Sequence, residues 1–384
     1  MRPGTTRLPP VAEIETLAQL VAAESDLSGR AIQGLHIPRG VIEWESVSLV
    51  GTTFLGCTFD DPTEAGRLSS AGALVIPRIG GCPYDAFRTE LYTPDELAAP
   101  APNGSMCLDE AIWHHAEEAQ QAGSTVVESL AQRIHDHAID DALDDLLESL
   151  HQPPVVAIMG GHGTRRDAPT FHMVAKTAWA LARKGFLVAT GGGPGSMEAG
   201  NLGAFLSGSD LDALDRAVET LSSVPHHADE DYLDAAREVR RQHSSGAMSL
   251  AVPTWFYGHE PTNLFAPRVA KYFANSIRED RLLSMAGAGV IFTPGSAGTA
   301  QEVFQDATQN HYETFGPPSP MIFLDSAHWD STGLLHALLM QAEGRPYHAL
   351  ISCTDDPEQA VATVIAHTAS SGRSASGNGP AGPS

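Results

Sequence analysis

The sequence predicts an α/β protein organised on a doubly wound parallel sheet, preceded by a β-rich and helical N-terminal region. Two observations carry that prediction. From Pro153 onward, apolar runs of strand length alternate with helical stretches over roughly 215 residues. The strand-like runs are almost continuously apolar, as strands covered by helices on both faces must be, and several close on glycines where a helix begins.

The elements follow in order. Val155–Gly161 (VVAIMGG) reads as the first buried strand, with a helix from about Pro169 to Lys184 closed by Gly185. Residues 186–190 (FLVAT) give a second strand, running through GGGPGS into a helix, MEAGNLGAFLSG. Residues 209–245 read as a helical insertion, 248–255 as a third strand, 267–286 as a helix and 289–293 as a fourth strand. PGSAGT then opens the helix AQEVFQDATQNHY, and SPMIFLD and HALISC complete the strands.

Composition marks out four segments: a β-leaning region over 1–105, an acidic helical segment over 106–152, a Rossmann-like α/β domain over 153–368, and a small, polar tail over 369–384 expected to be disordered. At roughly 150 residues per domain the 384-residue length allows about 2.6 domains. Within 1–105, SLVGTTFLGCTF has a near five-residue rhythm like a fragment of a pentapeptide-type β coil, too short to define a repeat array. Between Cys107 and Leu150 there are 11 Asp and Glu against one Arg, read as a solvated helix face. Thr125 and Glu128 have capping-box spacing there.

Charge and cysteine usage exclude several classes. With 23 Lys+Arg against 47 Asp+Glu, a net charge of −24 repels polyanions, so no nucleic-acid polymer is expected as partner. No stretch approaches the roughly 18 apolar residues of a membrane span, and the N-terminus lacks the apolar core of a secretory signal, so a cytoplasmic protein with no membrane partner is expected. Cys57, Cys82, Cys107 and Cys353 are far apart and form no CxxC pair, reading as reduced thiols. His135 and His137, at i and i+2 of a helix, point apart, so no metal is expected.

In an open parallel sheet, ligands bind beyond the C-terminal strand ends. Three glycine-rich turns occupy such places: Gly160-Gly161-His162-Gly163-Thr164, Gly191-Gly192-Gly193-Pro194-Gly195-Ser196 and Pro294-Gly295-Ser296-Ala297-Gly298-Thr299. Glycine lets a ligand approach the backbone, and free N–H groups at a helix start attract phosphate, so a small phosphate-bearing ligand is expected despite the net charge. The first turn lacks the third glycine of GxGxxG, and neither GxxxxGK[ST] nor an elbow GxSxG occurs. Glu302 is either the capping-box partner of Thr299 or a functional carboxylate, ionised by the helix N-terminus and suited to a base or to stabilising an oxocarbenium-like state. Arg278 and Arg281, at i and i+3, form either surface ion pairs with Glu279 and Asp280 or a fork on a nucleotide.

Two segments carry a family resemblance. Gly191 to Ala199 (GGGPGSMEA) resembles the GGGxxGxM segment of the LONELY GUY (LOG) family, and Pro294 to Glu302 resembles its PGGxGTxxE motif, with Ser296 at the second glycine. The match covers about 155–366; the extended length of the chain is similar to that of the larger bacterial purine/pyrimidine nucleotide monophosphate nucleosidases, although the N-terminal 150 residues do not resemble theirs. It implies a cofactor-independent phosphoribohydrolase that cleaves a nucleoside 5′-monophosphate to free base and ribose 5-phosphate, rather than the lysine decarboxylase as which the family was long known. Carried over by position, Glu302 is the catalytic glutamate, and Arg278 or Arg281 stands beside the family's Arg-Lys pair, which falls nearest Glu279-Asp280. Gly160, Gly161, Gly192, Gly193, Gly195, Ser196, Met197, Asn275, Gly295, Ser296, Gly298 and Thr299 are the expected substrate and phosphate contacts. The resemblance also implies a homo-oligomer, dimeric or higher. The alternative is a nucleotide or molybdenum-cofactor carrier or sensor on the same fold, binding without turnover.

Overall fold

The computed structural model describes residues 13–23, 26–101, 106–243 and 246–370. The expected disordered tail therefore lies almost wholly outside the described residues. Two compact units form: residues 1–90 with 115–142, and residues 91–114 with 143–384. This division does not follow the composition boundaries, because the segment around Leu91–His114 is tied to the second unit by the Tyr92–Val269 bridge and by buried contacts of Asp109.

The first unit is a short parallel coil. Strands β1 (Glu13–Ile14), β2 (Ala31–Gln33), β4 (Thr53–Leu55) and β6 (Leu74–Ile76) form one parallel sheet, while β3 (His36–Ile37) and β5 (Thr58–Phe59) form a second ladder. Helices α1 (Leu17–Ala22) and α2 (Glu64–Ser70) complete the turns. Ala31 pairs with Thr53 and Thr53 with Leu74, while His36 pairs with Thr58. Successive coils are thus 18, 22 and 21 residues apart, and the five-residue rhythm runs within one coil, where Leu49 and Phe54 are buried in the core and Phe59 packs against it. The sequence carries the 22-residue step: AIQGLHI and TFLGCTF superpose as x-apolar-x-Gly-apolar-x-apolar, 22 residues apart. Gly34 and Gly56 occupy the same place with φ of 67° and 62°, and Ile32, Ile37 and Phe54 are buried in the coil's core.

Helix α3 (Pro94–Ala98) belongs to the second unit, and α4 (Leu108–Ala122) and α5 (Val126–Ser149) run through both. The acidic segment is helical as expected, but its charges are not all solvated: Asp109 and Asp136 are buried. The capping box of α5 is half formed. Thr125 Oγ1 accepts from the Glu128 N–H at 3.1 Å, while the Glu128 carboxylate faces other partners.

The second unit holds a seven-stranded, all-parallel sheet, a Rossmann-like α/β arrangement as the sequence predicts. Its strands are β7 (Val155–Met159), β8 (Leu187–Thr190), β9 (Leu250–Ala251), β10 (Arg268–Val269), β11 (Gly289–Phe292), β12 (Met321–Leu324) and β13 (Ile351–Thr354). They lie in the order β10-β9-β8-β7-β11-β12-β13, so the winding reverses between β7 and β11. Every residue of β7, β8, β11 and β12 is buried, which explains their continuous apolar runs.

Helices α6 (Pro169–Arg183), α7 (Ser196–Phe205), α8 (Leu211–Ser222), α9 (Tyr232–Gln242), α10 (Asn275–Met285), α11 (Ala297–Tyr312), α12 (Ser326–Thr332), α13 (Leu334–Ala342) and α14 (Pro357–Ser370) complete the unit. Helices α8 and α9 are the expected insertion. The helix expected over 267–286 starts only at Asn275, because Arg268–Val269 is drawn out to pair with β9. No described helix is long and apolar enough to cross a membrane.

Candidate functional site

A cleft of about 450 Å³ opens in the second unit where the winding reverses. This is the crevice that doubly wound sheets use for ligands, and its size is ordinary for a small-molecule site. The turns that follow β7 and β11 meet here: the Gly161 N–H donates to the Pro294 carbonyl at 2.8 Å. A Cβ at Gly161 would lie 3.1 Å from that carbonyl oxygen and from Gly295 Cα, so both turns are held at backbone-to-backbone distance.

Helices α7 and α11 both begin beside this crevice, and neither N-cap residue, Gly195 or Ser296, makes a side-chain capping bond. Helix starts left uncapped keep N–H groups for a ligand. Gly195 has φ of 70°, and a Cβ there would stand 2.6 Å from the Gly161 carbonyl oxygen. Gly298 is the opposite case. A Cβ there would meet nothing within 4 Å, so its position on the cleft wall is open space.

Gly160, Gly161, Gly192, Gly193, Met197, Ser296, Gly298, Thr299, Arg278 and Glu302 all line the cleft. Gly195, Ser196 and Gly295 shape its turns from behind. The Ser196 N–H donates to the Gly161 carbonyl at 3.3 Å, and its hydroxyl lies 2.9 Å from Thr164 Oγ1. Gly295 instead lines a neighbouring hollow with Thr164 and His328.

The structure separates the two arginines. Arg278 is buried, with Nε and Nη2 donating to Asn275 Oδ1 at 3.1 and 3.0 Å and Nη2 to Glu279 Oε1 at 3.1 Å. Its Nη1 stands 3.8 Å from Glu302 Oε1. Arg281 does not line the cleft and pairs with Asp144, so the two arginines form no common fork. Nor are the acidic neighbours surface partners of the kind considered: Glu279 is buried on the cleft wall, and Asp280 accepts from Gln305 Nε2 at 2.6 Å. Asn275 reaches the site indirectly, through Arg278, Glu279 and the Tyr257 hydroxyl.

Glu302 differs from expectation in two respects. Helix α11 begins at Ala297, so Thr299 is not its cap, no capping box forms, and Glu302 stands in the second turn. It is also buried, and that burial pushes its carboxyl up to about 7, Arg278 opposing the shift and Glu279 adding to it. Burial outweighs the helix N-terminus here, whose effect fades within the first turn.

One wall was not legible from strand–helix alternation. Pro253, Thr254, Tyr257, Gly258, Glu260, Pro261, Thr262 and Asn263 line the cleft from the irregular stretch between β9 and β10, and Lys271, just after β10, lines it too. Buried Asp109 holds this wall: Oδ1 accepts from Trp255 Nε1 and Lys271 Nζ, both at 2.7 Å, and Oδ2 from Thr262 Oγ1 at 3.0 Å. A second network joins the wall to the glycine turn. Asn201 Oδ1 accepts from Thr190 Oγ1 at 2.6 Å and Asn263 Nδ2 at 2.9 Å, and Thr190 Oγ1 in turn accepts from the Gly192 N–H at 3.0 Å. The only advance signal is the density of Pro, Gly, Asn and Thr in GHEPTN, which reads as a plain connector.

No family model matches the chain, and no curated protein does. Among solved structures it is similar to the molybdenum cofactor binding protein from the phototrophic bacterium Rippkaea orientalis, at 14% identity and a TM-score of 0.33, over 56% of this chain and 96% of that one. It is also similar to the Moco carrier protein from Chlamydomonas reinhardtii, at 15% identity and a TM-score of 0.35, over 56% of this chain and 98% of that one. Neither likeness assigns a ligand to this chain.

Proposed function

We propose that the protein is an N-glycosidase that hydrolyses a purine or pyrimidine nucleoside 5′-monophosphate to free base and ribose 5-phosphate. The observation that carries this reading is the placement of one buried carboxyl, Glu302, beside Arg278 in a cleft walled by glycine turns and two uncapped helix starts. The amides of the turns and of α7 and α11 take the 5′-phosphate, so the acidic net charge is no obstacle. The C1′–N bond then breaks with positive charge developing on the ribosyl ring, which an ionised Glu302 stabilises. Water adds its oxygen to C1′ and gives up one proton to Glu302; the departing base nitrogen gains one proton from solvent, and Glu302 releases its own to solvent, so the carboxylate is ionised again at the end of the cycle. Arg278, fixed by Asn275 and Glu279, orients the substrate. The resemblance to LOG-type phosphoribohydrolases supports the same reading, and with it a homo-oligomer.

The test is a screen of AMP, GMP, CMP and UMP for release of ribose 5-phosphate, with Glu302→Gln alongside. Turnover on at least one, lowered at least a hundredfold in the variant, is expected. Thermal stabilisation by nucleotide without product would make the protein a carrier and overturn the hydrolase.

A further inference from the structure

We propose that Cys82, His115 and Glu128 form a zinc site in the first unit. Their donor atoms all lie within 4.8 Å of one another. Cys82 Sγ stands 3.5 Å from Glu128 Oε2, and His115 Nε2 stands 3.0 Å from the same oxygen. A tetrahedral zinc ion, with bonds of about 2.3 Å to sulfur and about 2.0–2.1 Å to nitrogen and oxygen, spaces its ligands about 3.5 Å (S to O) and about 3.3 Å (N to O) apart. Both pairs that involve Glu128 Oε2 therefore stand near coordination spacing before any ion arrives, and Sγ and Nε2, within 4.8 Å of each other, need only a small adjustment. They come from different elements: a loop after β6, helix α4, and the first turn of α5.

The surroundings orient the donors as second-layer partners do at metal centres. Glu128 Oε1 accepts from the Tyr84 hydroxyl at 3.0 Å and from Gln132 Nε2 at 2.9 Å, which leaves Oε2 turned toward Cys82 and His115. This explains why Glu128 abandons the capping role its spacing advertises. The site is shielded but reachable, the His115 side chain being 29% exposed and that of Glu128 10%. One soft sulfur, one imidazole and one carboxylate select a borderline ion such as zinc over calcium or magnesium. Binding releases the Cys82 thiol proton to solvent, the thiolate becoming the ligand, and no redox change is involved.

The experiment is a Co²⁺ titration of the untagged full-length chain, kept reduced, followed by Zn²⁺ displacement. One Co²⁺ per chain is expected, with a sulfur-to-cobalt charge-transfer band that Cys82→Ser abolishes and that Glu128→Gln weakens at least tenfold in affinity. A second measurement uses the unaltered protein: Zn²⁺ should protect Cys82 from alkylation, read by peptide mass spectrometry, while exposed Cys353 stays reactive. Absence of the band, its persistence in Cys82→Ser, or alkylation of Cys82 undiminished by Zn²⁺ overturns the site.

Discussion

Arg278 Nη1 stands 3.8 Å from Glu302 Oε1, too far to hydrogen-bond, because the rest of the guanidinium is committed to Asn275 and Glu279. The arginine thus only moderates the burial that lifts Glu302 to about 7. If ionised Glu302 drives hydrolysis, kcat/KM falls about tenfold for each pH unit below 7 and levels off above it. Arg278→Ala removes the opposing charge and moves that inflection to higher pH, whereas Arg278→Lys largely keeps it. A pH profile flat from 5.5 to 8.5 rules out Glu302 as the ionising group.

Gly298 lies in the first turn of α11 with open space where a side chain would project. Gly298→Ala should leave the fold intact or raise its stability by up to about 1 kcal/mol, since alanine is the better helix former. The added methyl occupies the cleft, so nucleotide affinity should drop at least tenfold. Equal affinity in the variant, by calorimetry, would show that the ligand does not approach this turn.

Arg166 and Glu198 form a buried pair, Arg166 Nε donating to Glu198 Oε2 at 2.9 Å, and Tyr232 adds its hydroxyl at 2.6 Å. The guanidinium also sits 3.4 Å over the Tyr232 ring, joining the first glycine turn, α7 and the inserted α9. Glu198→Gln should cost about 3–5 kcal/mol by stranding a buried charge. Arg166→Met combined with Glu198→Leu should recover part of that loss in urea melts; a double variant as unstable as the sum of the singles contradicts this.

Asp306 sits one turn beyond Glu302, buried, with Oδ2 lacking a hydrogen-bond partner. Burial raises its carboxyl from 3.8 to about 8. Between those values the unfolded chain is ionised while the native state keeps the proton, so native stability falls as pH rises from about 4 toward 8. Asp306→Asn removes the titration and should stabilise by about 1–3 kcal/mol at pH 8, with a smaller gain at pH 5. An identical Tm difference at both pH values rejects the assignment.

The strands of the main sheet were readable because β7, β8, β11 and β12 are buried throughout and leave an uninterrupted apolar run. The glycine turns were readable for a related reason, since each must let backbone meet backbone. The loop wall at 253–263 was not, because its order comes from Asp109 and Asn201, residues distant in sequence whose types announce nothing. Arg278 and Arg281 could not be told apart from spacing alone: Asn275 and Asp144 decide which one faces the cleft. The state of Glu302 also escaped the sequence, since burial depends on the packing of the whole crevice.

In the first unit, Ala31, Thr53 and Leu74 stack in register, each strand bonding only to those immediately beside it. Such a stack is a one-dimensional material whose cohesion accrues coil by coil. A whole coil can be inserted or removed without turning any inward residue outward, and a one-residue difference is taken up in the connecting turns, since the 22- and 21-residue steps both keep Ile32, Phe54 and Val75 on the core side. Natural length variation here should therefore come in whole coils, whose observed spacings are 18, 22 and 21 residues.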